Sequence, residues 1–82
     1  MNERIKELSK EAGLVADATY AKAPDAIWLK EYNKKFAELI VGECLKIAKN
    51  REDELESAGL LEESNAVGIV AYRISRQFGV KR

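Results

Sequence analysis

A long helical repeat of apolar residues constrains the fold of this chain more than any other feature. From Trp28 to Ala48, apolar or aromatic side chains return every three or four residues, which places them on one stripe of an α-helix. The stripe comprises Trp28, Tyr32, Phe36, Ile40, Cys44, Ile47 and Ala48, and is widened by Ala37, Val41 and Leu45. Pro24 and Asp25 suit the first turn of this helix. The pattern continues towards Ala58, and Gly59 stops it. Because about 34 residues is long for a globular helix, a break near Asn50 is an alternative.

Shorter helices are predicted on both sides. Asn2 is a suitable N-cap for a first helix over about residues 3–12, which Gly13 would close in the left-handed conformation. Residues 14–23 show no clean period and are expected to form a loop, with one helical turn around residues 17–20 as an alternative. A third helix begins near residues 60–64 and ends at a Gly79 C-cap. Its stripe is expected to contain Val67, Val70 or Ala71, Ile74 and Phe78.

These patterns predict an all-α fold in a single domain, residues 1–82, in which a short N-terminal helix precedes a long helical hairpin. No residue alternation typical of strands occurs in the sequence. Gly68 lies inside the third helix, where glycine costs about 1 kcal/mol relative to alanine. A glycine there can permit the close approach of another helix or of a ligand.

The length of the chain predicts self-association. A chain of 82 residues forms a small core that usually needs a disulfide, a metal or a partner to be stable. Cys44 is the single cysteine and the sequence has no histidine, so neither an internal disulfide nor a histidine metal site is expected. The apolar stripe is also broader than a two-helix contact covers. We therefore expect a helical-bundle homo-oligomer.

Catalysis is not expected, and neither is a cofactor. Cys44 lies in the middle of the apolar stripe, without a histidine to activate it, and is predicted to be a buried core thiol. The acids Glu52, Asp53, Glu54 and Glu56 lack the spacing of a calcium loop. The sequence contains neither a phosphate-binding loop motif nor a nucleophile-elbow motif.

Charge is balanced overall but segregated along the chain. The 14 basic and 14 acidic residues give no net charge, which argues against binding to duplex nucleic acid. Residues 52–63 nevertheless contain acids and no base, and residues 73–82 contain bases and no acid. This polarity could steer a small anion to the C-terminal end or pair subunits head to tail; a solvated acidic turn and basic tail is the alternative. No signal peptide or membrane span is expected, and the cytoplasm is the predicted location.

Two clusters combine aromatic rings with cations. On the third helix, Arg76 lies four residues from Tyr72 and three from Arg73, and Tyr72 and Arg73 are adjacent. The arginines could bind phosphate while the tyrosine ring stacks on a base. In the alternative, both arginines pair with acids of the second helix. The second cluster is Trp28, Lys30 and Tyr32, whose two rings could instead belong to the core.

Three segments resemble small accessory proteins encoded by tailed bacteriophages. They are Met1–Leu8 (MNERIKEL), Phe36–Cys44 (FAELIVGEC) and Phe78–Val80 (FGV), which together cover about 20 of the 82 residues. Gly42 departs from the pattern, because an arginine is common at that position. The resemblance implies an accessory protein in the cytoplasm of the infected bacterium, and it carries over no catalytic residues.

Such accessory proteins often blunt antiviral defence, and some small helical oligomers sequester nucleotide signals. The resulting hypothesis is a non-enzymatic homo-oligomer that binds a small, anionic, nucleotide-like ligand. One alternative is an inhibitor that covers a host defence or metabolic protein with its helical face. A structural oligomer or adaptor is the other.

Overall fold

Three α-helices make up the part of the chain that the computed structural model describes, which is residues 2–20 and 25–81. They are α1 (Glu3–Tyr20), α2 (Asp25–Ser57) and α3 (Leu61–Phe78), and no strand occurs in those two ranges. The all-α prediction is confirmed. Pro24 and the connection between α1 and α2 lie outside the described residues.

Local chemistry explains where the helices begin and end. The Asn2 side-chain oxygen accepts a hydrogen bond from the backbone N–H of Ile5 at 2.9 Å, so Asn2 is the N-cap of α1. Gly59 has φ of 79° and follows α2, and Gly79 has φ of 66° and follows α3. Glycine is favoured in this left-handed region because it lacks a Cβ. The predicted stops at both glycines are correct, and α2 is continuous through Asn50.

The prediction for α1 is wrong in its length. The helix continues past Gly13, whose φ is not positive, and residues 14–20 are helical where a loop was expected. Ala12 and Ala16 are both buried, and they extend the inward face of α1 beyond the glycine. The packing of these residues offsets the helix penalty of Gly13, which is about 1 kcal/mol relative to alanine.

The chain divides into two compact units, Met1–Ile40 and Val41–Arg82. In the first unit, α1 packs on the N-terminal part of α2, and a Cβ added to Gly13 would lie 3.9 Å from a ring carbon of Tyr32. In the second unit, α3 packs on the C-terminal part of α2. The buried apolar side chains are Leu8, Ala12 and Ala16 in the first unit and Leu45, Leu55 and Ala71 in the second.

The inward face of α2 in the second unit differs from the predicted stripe. Cys44 is exposed, which corrects the prediction of a buried core thiol, and Ile47 is 70% exposed. The adjacent Leu45 is buried instead, at 2% exposure, together with Leu55. The apolar surface of α2 is broad enough to offer two stripes, and the position of α3 decides which one it covers.

Candidate functional site

Tyr72 and Arg76 form a joined pair on the surface of α3. They lie four residues apart, so their side chains share one face of the helix. Arg76 Nη1 donates a hydrogen bond to the Tyr72 hydroxyl at 2.9 Å, and its guanidinium carbon lies 5.7 Å from the centre of the tyrosine ring. Both side chains are exposed. The pair therefore presents a positively charged fork and an aromatic face to solvent.

Arg73 lies beside this pair without touching it. Its side chain is exposed. Within residues 2–20 and 25–81, neither Arg73 nor Arg76 forms an ion pair with an acid, so the predicted alternative of pairing to α2 is not seen there. A guanidinium group that pairs with no acid can donate hydrogen bonds to the oxygens of an anion.

An open depression adjoins Tyr72 on the second unit. Glu52 of α2 lies on one side of it, and α3 supplies Asn65, Gly68, Ile69 and Tyr72. The depression thus combines a carboxylate, an amide and apolar surface. A phosphate placed within it would meet the Glu52 carboxylate, whereas the N–H groups of a nucleobase could donate to that carboxylate. The arrangement can therefore take an anion at the arginines and a hydrogen-bond donor at the depression.

Gly68 allows Glu52 to lie close to α3. A Cβ built on Gly68 would be 3.0 Å from one Glu52 carboxylate oxygen, 3.2 Å from its carboxyl carbon and 3.5 Å from the other oxygen. The close approach that a glycine at position 68 permits is made by the side chain of a neighbouring helix. Ser64, one turn earlier and buried, donates a hydrogen bond from its hydroxyl to the Glu52 backbone carbonyl at 3.0 Å. These two contacts fix α3 against α2.

In the second predicted cluster, the two aromatic side chains contact α1, whereas Lys30 is exposed to solvent. Trp28 and Tyr32 stack with ring centres 5.3 Å apart, at an angle of 7°. Trp28 Nε1–H donates to Asp17 at 2.8 Å, and the Tyr32 hydroxyl is hydrogen bonded to that of Ser9. Both polar ends of the rings are thus bonded to α1. Lys30 is exposed and lies two residues from each ring, which turns it to a different side of α2.

Two neighbouring acidic residues of α2, Asp53 and Glu54, form ion pairs within their own helix. Asp53 lies 3.2 Å from Lys49, and Glu54 lies 3.1 Å from Arg51. In the two described ranges, no cluster of histidine, cysteine or acidic side chains is arranged to hold a metal ion. Nor is any helix in those ranges both long and apolar enough to cross a membrane.

Sequence reasoning identified the Tyr72–Arg76 pair but missed its neighbours. Neither the position of Glu52 beside Gly68 nor the hydrogen bond of Ser64 follows from the sequence pattern. The one available signal is Gly68, because a glycine inside a helix permits a close contact but does not show which residue makes it.

Comparisons with protein-family models, with curated proteins and with solved structures give no match to this chain. The bacteriophage resemblance and the role that it implies stay predictions.

Proposed function

We propose that this protein acts by binding and not by catalysis, and that it does so as a homo-oligomer. One observation carries the proposal of a homo-oligomer: large hydrophobic side chains are exposed in both compact units. Leu14 and Leu29 are 69% and 52% exposed in the first unit, and Ile47 and Ile69 are 70% and 57% exposed in the second. Exposed apolar patches mark surfaces that bind another protein chain.

The chemistry of the exposed surface supports the same conclusion. Large hydrophobic side chains lie exposed on all three helices. Among the buried apolar residues in the described ranges, half are alanines: Ala12, Ala16 and Ala71. Burying apolar surface contributes roughly 25 cal/mol per Å². Covering the exposed side chains with further copies therefore adds the hydrophobic stabilisation that the small core lacks.

Sedimentation velocity across a concentration series tests this proposal. We expect an oligomer at micromolar concentration, and a melting temperature that rises with protein concentration because association is coupled to folding. A folded monomer at about 100 μM, with a melting temperature independent of concentration, would exclude the proposal.

The exposed Tyr72–Arg76 pair favours a nucleotide-like anion as the ligand. Arg76 would bind phosphate oxygens, with Arg73 as a second cation. The Tyr72 ring would stack on the base. The depression next to Tyr72 offers Glu52 and Asn65 as hydrogen-bonding partners for base edges.

Calorimetry with a panel of cyclic and linear nucleotides tests the ligand. Arg76→Gln and Arg73→Gln should each weaken binding by about 1.5–3 kcal/mol, the scale of a charge-assisted hydrogen bond. Arg76→Lys should also weaken it, because an ammonium cannot reproduce the planar fork. Arg51→Gln is the matched control, since Arg51 is an exposed arginine on α2 that pairs with Glu54. Equal weakening by the control would mean that the effect is general electrostatics.

The bacteriophage resemblance suggests the setting for such binding. In the host cytoplasm, the oligomer would sequester a nucleotide that signals antiviral defence. Native mass spectrometry of protein from phage-infected cells should show the oligomer mass plus a retained nucleotide. If no nucleotide is retained and none in the calorimetry panel binds, sequestration is excluded, and inhibition of a host protein by the exposed helical surface becomes the leading hypothesis.

A further inference from the structure

The depression beside Tyr72 contains one carboxylate, and contacts with α3 hold it in place. Glu52 is partly buried, and its two carboxylate oxygens lie 3.0 and 3.5 Å from the position of a Cβ built on Gly68. The backbone of Glu52 is held as well, because its carbonyl accepts the hydrogen bond from the buried Ser64. Glu52 and Gly68 both line the depression. The depression therefore has a negatively charged hydrogen-bond acceptor on its α2 side.

The rest of the lining comes from α3 and lies in the same compact unit. Asn65 is exposed and supplies an amide, which can both donate and accept hydrogen bonds. Ile69 supplies apolar surface and Tyr72 supplies an aromatic ring, and both side chains are more than half exposed. The depression thus places an aromatic surface next to a carboxylate and an amide.

A carboxylate discriminates between the nucleobases because it only accepts hydrogen bonds. Its two oxygens match two adjacent N–H donors. Guanine presents such donors on its Watson–Crick edge, at N1–H and at the 2-amino group, whereas adenine presents the acceptor N1 there, which a carboxylate repels. We propose that the depression binds guanine, so that the ligand is a guanine nucleotide. This inference rests on the proposed nucleotide binding and names the base.

Each lining residue has a role in this assignment. Glu52 accepts from N1–H and the 2-amino group, the Asn65 amide donates to the O6 carbonyl, and the base stacks on the Tyr72 ring. Arg76 lies about 12 Å beyond Gly68 along the helix axis, and its side chain reaches back to the Tyr72 hydroxyl. A base stacked on Tyr72 therefore has its phosphates on the side of the arginines.

A comparison of ligands tests the assignment in the unmodified protein. Calorimetry is carried out with the 5′-triphosphates and the 3′,5′-cyclic monophosphates of guanosine, inosine and adenosine. Inosine differs from guanosine only by the missing 2-amino group, so it loses one hydrogen bond to the carboxylate. We expect guanosine nucleotides to bind at least about tenfold more tightly than inosine nucleotides, the scale of one hydrogen bond to a charged group, and adenosine nucleotides to bind more weakly still.

Glu52→Gln should change which base is preferred. The substitution keeps the shape of the side chain but replaces one accepting oxygen by a donating amino group, which opposes the 2-amino group of guanine. Xanthine has a carbonyl at that place, so xanthosine nucleotides should gain affinity while guanosine nucleotides lose at least about tenfold. Glu63→Gln is the matched control, since Glu63 is an exposed acid of α3 that does not line the depression. It removes the same charge and should leave the base preference unchanged.

Gly68→Ala provides a second variant in which the carboxylate keeps its charge. The added Cβ would lie 3.0 Å from a Glu52 oxygen, so the carboxylate has to move away from α3. The preference for guanosine over inosine nucleotides should therefore fall in this variant. Circular dichroism establishes that each variant is folded before its binding is measured, and either folded variant is sufficient for the test.

Two outcomes overturn the assignment and leave nucleotide binding in place. They are equal affinity of the unmodified protein for guanosine and inosine nucleotides, and an unchanged guanosine preference in folded Glu52→Gln. If no nucleotide binds to the unmodified protein, both the guanine assignment and the proposed nucleotide ligand are excluded.

Discussion

The contact between Gly68 and Glu52 allows the packing of α3 to be measured by one added methyl group. Gly68→Ala removes the helix penalty of an interior glycine, which favours folding by about 1 kcal/mol. The new Cβ would lie 3.0 Å from a Glu52 oxygen and 3.2 Å from its carboxyl carbon, tighter than ordinary van der Waals contact. Overpacking of this kind typically costs about 1–3 kcal/mol. The cost here should fall at the low end, because the atoms that must move end a flexible side chain.

We therefore expect the two effects of Gly68→Ala to nearly cancel, with a change in unfolding free energy within about 0.5 kcal/mol of zero. In a Glu52→Ala background the carboxylate is gone, and the same substitution should stabilise the protein by about 1 kcal/mol. The coupling energy of this double-mutant cycle is then at least about 0.5 kcal/mol. Glu52→Ala has its own effect on the unfolding free energy. Both proteins in the Glu52→Ala background carry that effect, so it cancels from the coupling energy.

Urea denaturation followed by circular dichroism at one fixed protein concentration gives the four free energies. Gly42→Ala is the control, since Gly42 lies inside α2 and a Cβ there would meet nothing within 4 Å. It should stabilise the protein by about 1 kcal/mol in both backgrounds. A zero coupling energy for Gly68→Ala would refute the reasoning, because it would mean that the Glu52 carboxylate does not lie against Gly68.

Three further substitutions test other parts of the fold, and a fourth serves as a control. Cys44 should react rapidly with a thiol reagent in the native protein, and Cys44→Ser should change stability by less than about 0.5 kcal/mol; slow labelling at every protein concentration would contradict its exposure. Ser64→Ala should destabilise by about 0.5–1.5 kcal/mol through loss of the hydrogen bond to the Glu52 carbonyl. Ser57→Ala, at the exposed end of α2, should have no effect in the same denaturation assay. Gly79→Ala should cost about 1–2 kcal/mol because its backbone is left-handed, and a neutral result would show that α3 ends differently.

The sequence alone determined the helices that depend on local chemistry. The apolar period of Trp28, Tyr32 and Phe36 fixed the N-terminal part of α2, because a 3.6-residue repeat places these residues on one face whatever packs against it. Asn2 and Gly79 marked their helix ends because capping involves backbone groups within a few residues. The Tyr72–Arg76 pair is local in the same sense, since it needs only the i, i+4 geometry of one helix.

Tertiary structure decided what depends on contacts between helices. The apolar surface of α2 was wide enough to bury either Cys44 or Leu45, and the position of α3 selected Leu45. The continuation of α1 past Gly13 required the burial of Ala16, which no local signal predicts. The contact of Glu52 with Gly68 likewise joins two helices. Periodicity gives the direction in which each side chain leaves its own helix axis. The helix that packs alongside determines which of those side chains are buried.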